Sequence, residues 1–378
     1  MCTTMSSPTV FKNLILNGKI VDIICESGKI VSIGRTDTDG VDFFGKKVYA
    51  GLVDIHTHGM GGVDVMDGNI CLLAHIYAKN GTTAFMPTTM SADMNTIIKI
   101  LTMDAHRRDG ADVVGYHLEG PYIHSDYVGA QNPTFIRNPD LDEFKEYKNV
   151  GMITIAPELE GAMELIQKAN AVVSLGHTSA DYETTLQAAK HGAKCLTHTF
   201  NAMKPIHHRM PGPIGAAYDA DMYIQVICDG IHVHPTVIRM LYRLFGADRM
   251  ILISDSMRAT GLPDGEYELG GQMMTLCNGI ARTSKGALAG STSTLFECVR
   301  RAIEFGIPEK DAFKMAAETP AQLLGIKKGR IQPGYDCDLI ILDKNGFLDT
   351  VIVKGMICTT KQDGPIEVLI HEQRESDK

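Results

Sequence analysis

Eight short apolar runs recur through the middle of this chain, at 48–55, 82–88, 113–119, 152–156, 171–175, 194–199, 223–228 and 250–255, and no other feature constrains its fold as tightly. Their hydrophobicity is nearly continuous rather than alternating, which suits parallel strands covered on both faces. Helical candidates lie between several of them, at 95–107, 161–169, 180–190 and 235–245. Eight such strands, with helices between several of them, predict an α/β fold of the (β/α)8 barrel type. The passage from the third run to the fourth is less regular. Residues 265–290 read as an excursion, and 295–305 and 310–324 as late helices.

The two ends differ from the middle. Residues 14–16, 20–24 and 30–33 are short β-type runs between glycine-containing turns, and 338–342 and 350–355 repeat that style near the far end. We expect the ends to build one small β-sandwich domain, from 1–49 and 331–378, beside a barrel of 50–330. At 378 residues the chain exceeds one average domain but fits a large barrel with a small companion domain.

Composition narrows the function. With 45 acidic against 36 basic side chains the net charge is −9, and no dense Lys/Arg run occurs, so nucleic-acid binding is not expected. An anionic substrate would need local basic groups. The nine cysteines form no Cys-x-x-Cys pair and are odd in number, which fits reduced thiols and a cytoplasmic location. No basic, apolar leader is visible at the N-terminus, and no apolar stretch is long enough to span a membrane.

Polar residues capable of catalysis stand where the apolar runs end. His56 and His58 end the first run, Glu119 ends the third, His177 follows the fifth, His198 falls in the end of the sixth, and Asp255 ends the eighth. The C-terminal strand ends of a closed barrel surround one mouth, so residues distant in sequence should meet there. His56 and His58, two apart on a strand, face the same side and can share a cation. Taken singly, each residue has a plainer role: a paired core histidine, a solvated strand-end carboxylate, a cap. Taken together, four imidazoles and two carboxylates describe a hydrolytic centre for one or two Zn²⁺ or Fe²⁺ ions. Asp255 could serve as a ligand, a general base or both.

The stretches Gly51-Leu52-Val53-Asp54-Ile55-His56-Thr57-His58-Gly59, His117-Leu118-Glu119-Gly120-Pro121, Gly176-His177-Thr178, Thr197 to Met203, Asp229-Gly230-Ile231-His232, Ser254 to Met257 and Leu288 to Ser291 resemble the amidohydrolase superfamily. Within it the resemblance is to the N-acetylglucosamine-6-phosphate deacetylases, and it covers nearly the whole chain. It implies a metal held by Glu119, His177 and His198, with Glu119 where many amidohydrolases carry a carbamylated lysine. Because both His56 and His58 are kept, it permits a second metal. It places Asn201, the Ala202 backbone, Arg209 and His232 around a sugar phosphate, and Gln131 where some relatives have a histidine near the substrate carbonyl. His117 is expected to pack behind the ligands.

The activity so implied is hydrolysis of the acetamide of N-acetylglucosamine 6-phosphate to glucosamine 6-phosphate and acetate, with Asp255 as base and then acid, in a homodimer. N-acetylgalactosamine 6-phosphate, differing at one hydroxyl, is an alternative substrate. Another amidohydrolase reaction, or an inactive scaffold, are more distant alternatives.

Overall fold

The computed structural model describes residues 8–103 and 109–360. Parts of the expected terminal unit, at 1–7 and 361–378, and the end of the expected helix at 95–107, from 104 to 107, lie outside those residues.

The first apolar run is divided by a glycine, and the division separates the two sheets of the molecule. Lys47–Ala50 pairs antiparallel with Leu339–Leu342, whereas Leu52–Thr57 pairs parallel with Thr82–Thr89. At Gly51 between them, a Cβ would come within 2.1 Å of Thr83 Oγ1, so the crossing point requires glycine.

From Leu52 onward the eight expected barrel strands all form. After Leu52–Thr57 and Thr82–Thr89 come Tyr116–Glu119, Val150–Ile155, Val172–Leu175, Cys195–Leu196, Tyr223–Ile227 and Met250–Ile253, each parallel to its neighbours. The ring closes through Asp255, whose N–H donates to the His56 carbonyl at 3.0 Å. The first two strands are buried at every position, as expected where helices cover one face and the barrel interior the other. Two runs are shorter as strands than as apolar stretches. The third splits into Asp112–Val113 and Tyr116–Glu119 around Gly115, which has φ 123°, and only Cys195 and Leu196 of the sixth join the ladder.

The outer helices include Met94–Leu101, Ala162–Lys168, Tyr182–His191, Pro235–Arg249 and Leu295–Glu304. One expected helix, 310–324, is broken into Glu309–Ala316 and Glu318–Leu324. Pro320 has no N–H to donate and its ring would clash with the Ala316 carbonyl four residues back, so a continuous helix is excluded. The excursion is a three-stranded antiparallel sheet, Gly265–Leu269, Gln272–Cys277 and Ile280–Thr283, whose Leu269, Met274 and Leu276 pack with Met90 and Met257 beside the barrel mouth.

The chain ends share one mixed sheet, ordered Met356–Thr360, Leu348–Val353, Leu339–Leu342, Lys47–Ala50, Thr9–Leu16, Lys19–Glu26, Lys29–Gly34, with Val41–Asp42 beside Thr9–Leu16. Its own apolar core holds Phe11, Leu14, Ile23, Ile30 and Leu339.

Candidate active site

His56 and His58 lie on one face of the first barrel strand, and their Nε2 atoms are 3.3 Å apart. Glu119 ends the third strand and reaches between the histidines: its Oε2 is 3.2 Å from His58 Nε2, and its Oε1 is 3.2 Å from His56 Nε2, 3.3 Å from His177 Nε2 and 3.0 Å from His198 Nε2. Asp255 Oδ1 stands 3.3 Å from His58 Nε2 and 3.5 Å from His56 Nε2. All six side chains are buried. The barrel thus joins every metal-ligand and general-base candidate in one cluster.

Two of these positions, His177 and Asp255, have φ near +47° and +48°, and His198 has φ 24°. Non-glycine residues seldom adopt this left-handed backbone, which persists only where surrounding contacts over-determine it. Here it occurs at the points where strands turn outward at the mouth.

Outward-facing acceptors orient three of the imidazoles. His56 Nδ1 donates to Gln225 Oε1 at 3.0 Å, His58 Nδ1 to the Thr88 carbonyl at 3.1 Å, and His177 Nδ1 to the Tyr127 carbonyl at 2.7 Å. With the proton on Nδ1, each Nε2 lone pair faces Glu119. His198 Nδ1 has no partner among the described residues. Lone pairs so close repel unless a cation lies among them. Two triads, His56–His58–Glu119 and Glu119–His177–His198, have ligand atoms close enough to share one ion. Separations of 3.0–3.3 Å agree with the edge of a tetrahedron with bonds of about 2.0–2.1 Å, so the donor set fits a divalent cation.

The charges are mutually dependent. Burial opposes ionisation of Glu119, but His56, His177 and His198 hold it well below the ordinary carboxylate range. Burial likewise opposes charge on His58, yet Asp255 and Glu119 hold its pKa well above the usual value. Asp255 is kept low by His56 and His58 against the same desolvation. His117, as expected, packs behind: its Nε2 meets Thr154 Oγ1 at 2.8 Å, and burial followed by the His56 charge pushes its pKa well down.

A cavity of about 390 Å³ opens above the cluster. Gln131, Asn201, Ala202 and His232 line it, with Phe200, Leu269 and Leu288 as apolar wall. Asn201 Nδ2 donates to the His198 carbonyl at 3.1 Å. His232 Nδ1 donates to Asp229 Oδ2 at 2.6 Å; burial resists its charging, but Asp229 raises its pKa. Arg209 is not in this wall. It lies on an exposed loop with Nη1 2.7 Å from His208 Nε2, beside a second cavity lined by Tyr182, Lys204, His207 and Met210. Of the histidines without an expected role, His124 and His234 accept the backbone N–H of Asp126 and Thr236 through their side chains.

Sequence reasoning missed the residues that orient the ligands. Gln225 had a visible signal, a lone amide within an apolar strand. Thr88 and Tyr127 had none, because their backbone carbonyls do the work.

The chain matches the amidohydrolase family model over residues 48–358. It is 35% identical over 359 residues to an N-acetylglucosamine-6-phosphate deacetylase of Lysinibacillus sphaericus, covering 89% of this chain and 93% of that protein. It is also 35% identical to an N-acetylgalactosamine-6-phosphate deacetylase of Escherichia coli O157:H7, over 81% of this chain and 86% of the relative. Among solved structures, a mutant N-acetyl-D-glucosamine-6-phosphate deacetylase of Mycobacterium smegmatis, in complex with N-acetyl-D-glucosamine-6-phosphate, superposes with a TM-score of 0.87 at 29% identity, covering 94% of this chain and all of that one. Coverage of this extent over both the barrel and the terminal sheet leads to one assignment: the chain belongs to the amidohydrolase family, among its N-acetylglucosamine-6-phosphate deacetylases.

Proposed function

We propose that this chain hydrolyses the acetamide of N-acetylglucosamine 6-phosphate to glucosamine 6-phosphate and acetate. The observation that carries the reading is the convergence of four imidazoles and two carboxylates beneath one small-molecule cavity. Glu119, His177 and His198 would hold one Zn²⁺ or Fe²⁺, and His56, His58 and Glu119 a second. A divalent cation bound there lowers the pKa of a water and polarises an amide carbonyl.

The chain's own residues supply the rest. Asp255, kept ionised by its histidine neighbours, takes the proton of the attacking water and returns it to the amine nitrogen, so that the poor leaving group departs neutral. Glu119 stays anionic throughout. Gln131 has an amide N–H beyond the one directed at Glu119 and offers it to the acetamide carbonyl. Asn201 and the Ala202 backbone orient the sugar. His232, whose pKa Asp229 raises, stands on the cavity wall of an otherwise acidic protein and takes the phosphate there. The phosphate is remote from the reacting bond, so its binding energy serves to position the acetamide.

The protein acts as a homodimer in this reading. Arg209 lies outside the cavity of its own chain, on a loop that also exposes Ile206 and Met210, and from there it serves the phosphate of the neighbouring subunit. Cys25, Cys195, Cys228, Cys277, Cys298, Cys337 and Cys358 are free thiols, which supports a reducing, cytoplasmic setting. Among the described residues no helix is long and apolar enough to cross a membrane.

The test is acetate release by Zn²⁺- or Fe²⁺-loaded protein from N-acetylglucosamine 6-phosphate, N-acetylgalactosamine 6-phosphate and unphosphorylated N-acetylglucosamine. Preference for the first is expected. Preference for the second would support the galacto reading, which the Escherichia coli relative favours, and would leave the mechanism intact. Release from none would overturn both.

A further inference from the structure

Apart from the imidazoles that face it, Glu119 meets one side chain among the described residues that donates it a hydrogen bond: Gln131 Nε2, at 2.7 Å from Oε2. The amide cannot turn over, because its Oε1 accepts the Ser91 N–H at 2.7 Å. That contact depends on a close approach of two loops, which Gly120 permits; a Cβ there would meet Ser91 Oγ at 2.1 Å. The main chain of Gln131 is also tied. Its N–H donates to the Val128 carbonyl at 3.0 Å, and its carbonyl accepts Gln272 Nε2 at 2.9 Å from the three-stranded excursion. Gln131 is 2% exposed, so it is held from both ends inside the structure.

Glu119 needs such a constraint. Its Oε1 is approached by three imidazoles, and Oε2 by His58, so the carboxylate plane decides whether both triads can form. A glutamate has three side-chain torsions, and a cation alone would pull one oxygen without fixing the other. A donor set opposite the histidines fixes the plane.

We propose that Gln131 is a positioning residue for Glu119, and that the relay Gln272–Gln131–Glu119 ties the excursion sheet to the metal ligands; the inference rests on the metal-site reading above. Contact with substrate uses the other amide N–H and is a separable property. Positioning acts on metal binding with no substrate present. Contact acts on KM.

The test measures Zn²⁺ affinity of the full-length protein by competition with a chromogenic chelator, without substrate, for wild type, Gln131→Ala, Gln131→Met and Gln272→Ala. Gln131→Met keeps length and bulk but donates nothing. Both Gln131 variants are expected to bind Zn²⁺ roughly 10–100-fold more weakly, the usual scale for an outer partner of a ligand, and Gln272→Ala more weakly by a smaller factor. At saturating Zn²⁺, kcat of Gln131→Met should stay reduced, because the carboxylate plane remains loose. Near-normal affinity in Gln131→Met with loss only in Gln131→Ala would mean packing, and would overturn the proposal. Wild-type affinity in all three, with a raised KM alone, would reduce Gln131 to a substrate contact and also overturn it. Should Gln131→Ala not fold, the Met variant and Gln272→Ala still decide. Wild-type protein that binds no Zn²⁺ would sink the metal-site reading itself, which is a different failure.

Discussion

The barrel carries a charge cluster at each end, and the two are built on opposite plans. At the base, where Asp112 precedes the third run and the Asp338 carbonyl accepts the Gly51 N–H, Lys328 Nζ lies 2.6 Å from Asp112, 2.8 Å from Asp336 and 2.8 Å from Asp338. Lys354 and Lys29 complete the neutralisation at Asp112 and Asp336. Burial opposes the charge on Lys328, but Asp338 and Asp112 raise its pKa, so this cluster contains its own permanent cation. At the mouth, four imidazoles and two carboxylates meet with no lysine or arginine among them. A joint between sheets is best served by a cation that is part of the chain. A hydrolytic centre is best served by one whose remaining coordination positions are open to water and substrate.

The largest effect should come from separating chemistry from structure at the mouth. Asp255→Asn removes the base while leaving the Glu119, His177 and His198 ligands, so metal content should persist while kcat falls about 10²–10⁴-fold, the usual scale for general acid–base catalysis. Near-normal turnover in a metal-loaded variant would remove Asp255 from the proton path.

The converse experiment is at the base. Lys328→Met leaves three carboxylates facing one another and should cost about 3–5 kcal/mol of stability, read by denaturant unfolding. Zn²⁺ affinity of the folded fraction should not change. A shift in metal affinity would show that the two ends are not independent and would undo the contrast drawn here.

A smaller effect is expected from Arg209→Ala. KM for the phosphorylated sugar should rise roughly tenfold or more, on the ~1.5–3 kcal/mol scale of hydrogen bonds to charged groups, with kcat little changed. Mixing Arg209→Ala with Asp255→Asn protein would sharpen the dimer reading: if Arg209 serves the neighbouring subunit, a mixed dimer regains one cavity with both groups intact, whereas service within a chain leaves none. The measured recovery relative to either variant alone distinguishes service within a chain from service across it.

The smallest effect is on pH. Burial disfavours charge on His232, but the hydrogen bond and charge of Asp229 raise its folded pKa above the ordinary histidine value. Its contribution to folding is therefore fully present below the unfolded pKa and is lost as pH rises through the raised folded one. Phosphate binding follows the same sign, so KM should increase a few-fold with pH across that window while His232→Gln gives a flat profile. An unchanged wild-type KM would take His232 out of phosphate recognition.

Much of this was legible in the chain. The eight barrel strands coincide with eight apolar runs because a parallel strand covered on both faces must be apolar along its length. The site followed because barrel closure brings strand ends together, so His56, His58, Glu119, His177, His198 and Asp255 could be grouped from their positions alone. The split of 48–55 between two sheets was not legible, since both halves are apolar and only the contact of Gly51 with Thr83 separates them. Nor was the break in 310–324 foreseen, although Pro320 was in view.

What the sequence determined by itself is a matter of periodicity and residue type: an α/β barrel, an all-β pair of ends, and a set of ligands at strand ends. What the tertiary structure decided is a matter of angstroms between residues far apart in the chain. Gln131 lines the cavity yet directs one amide N–H at Glu119, Arg209 lies outside its own cavity, and Ser91 and Tyr127 act through backbone atoms that residue type does not encode. Burial along a strand follows from local pattern, whereas hydrogen-bond partners are chosen by the packing of loops, which local pattern does not specify.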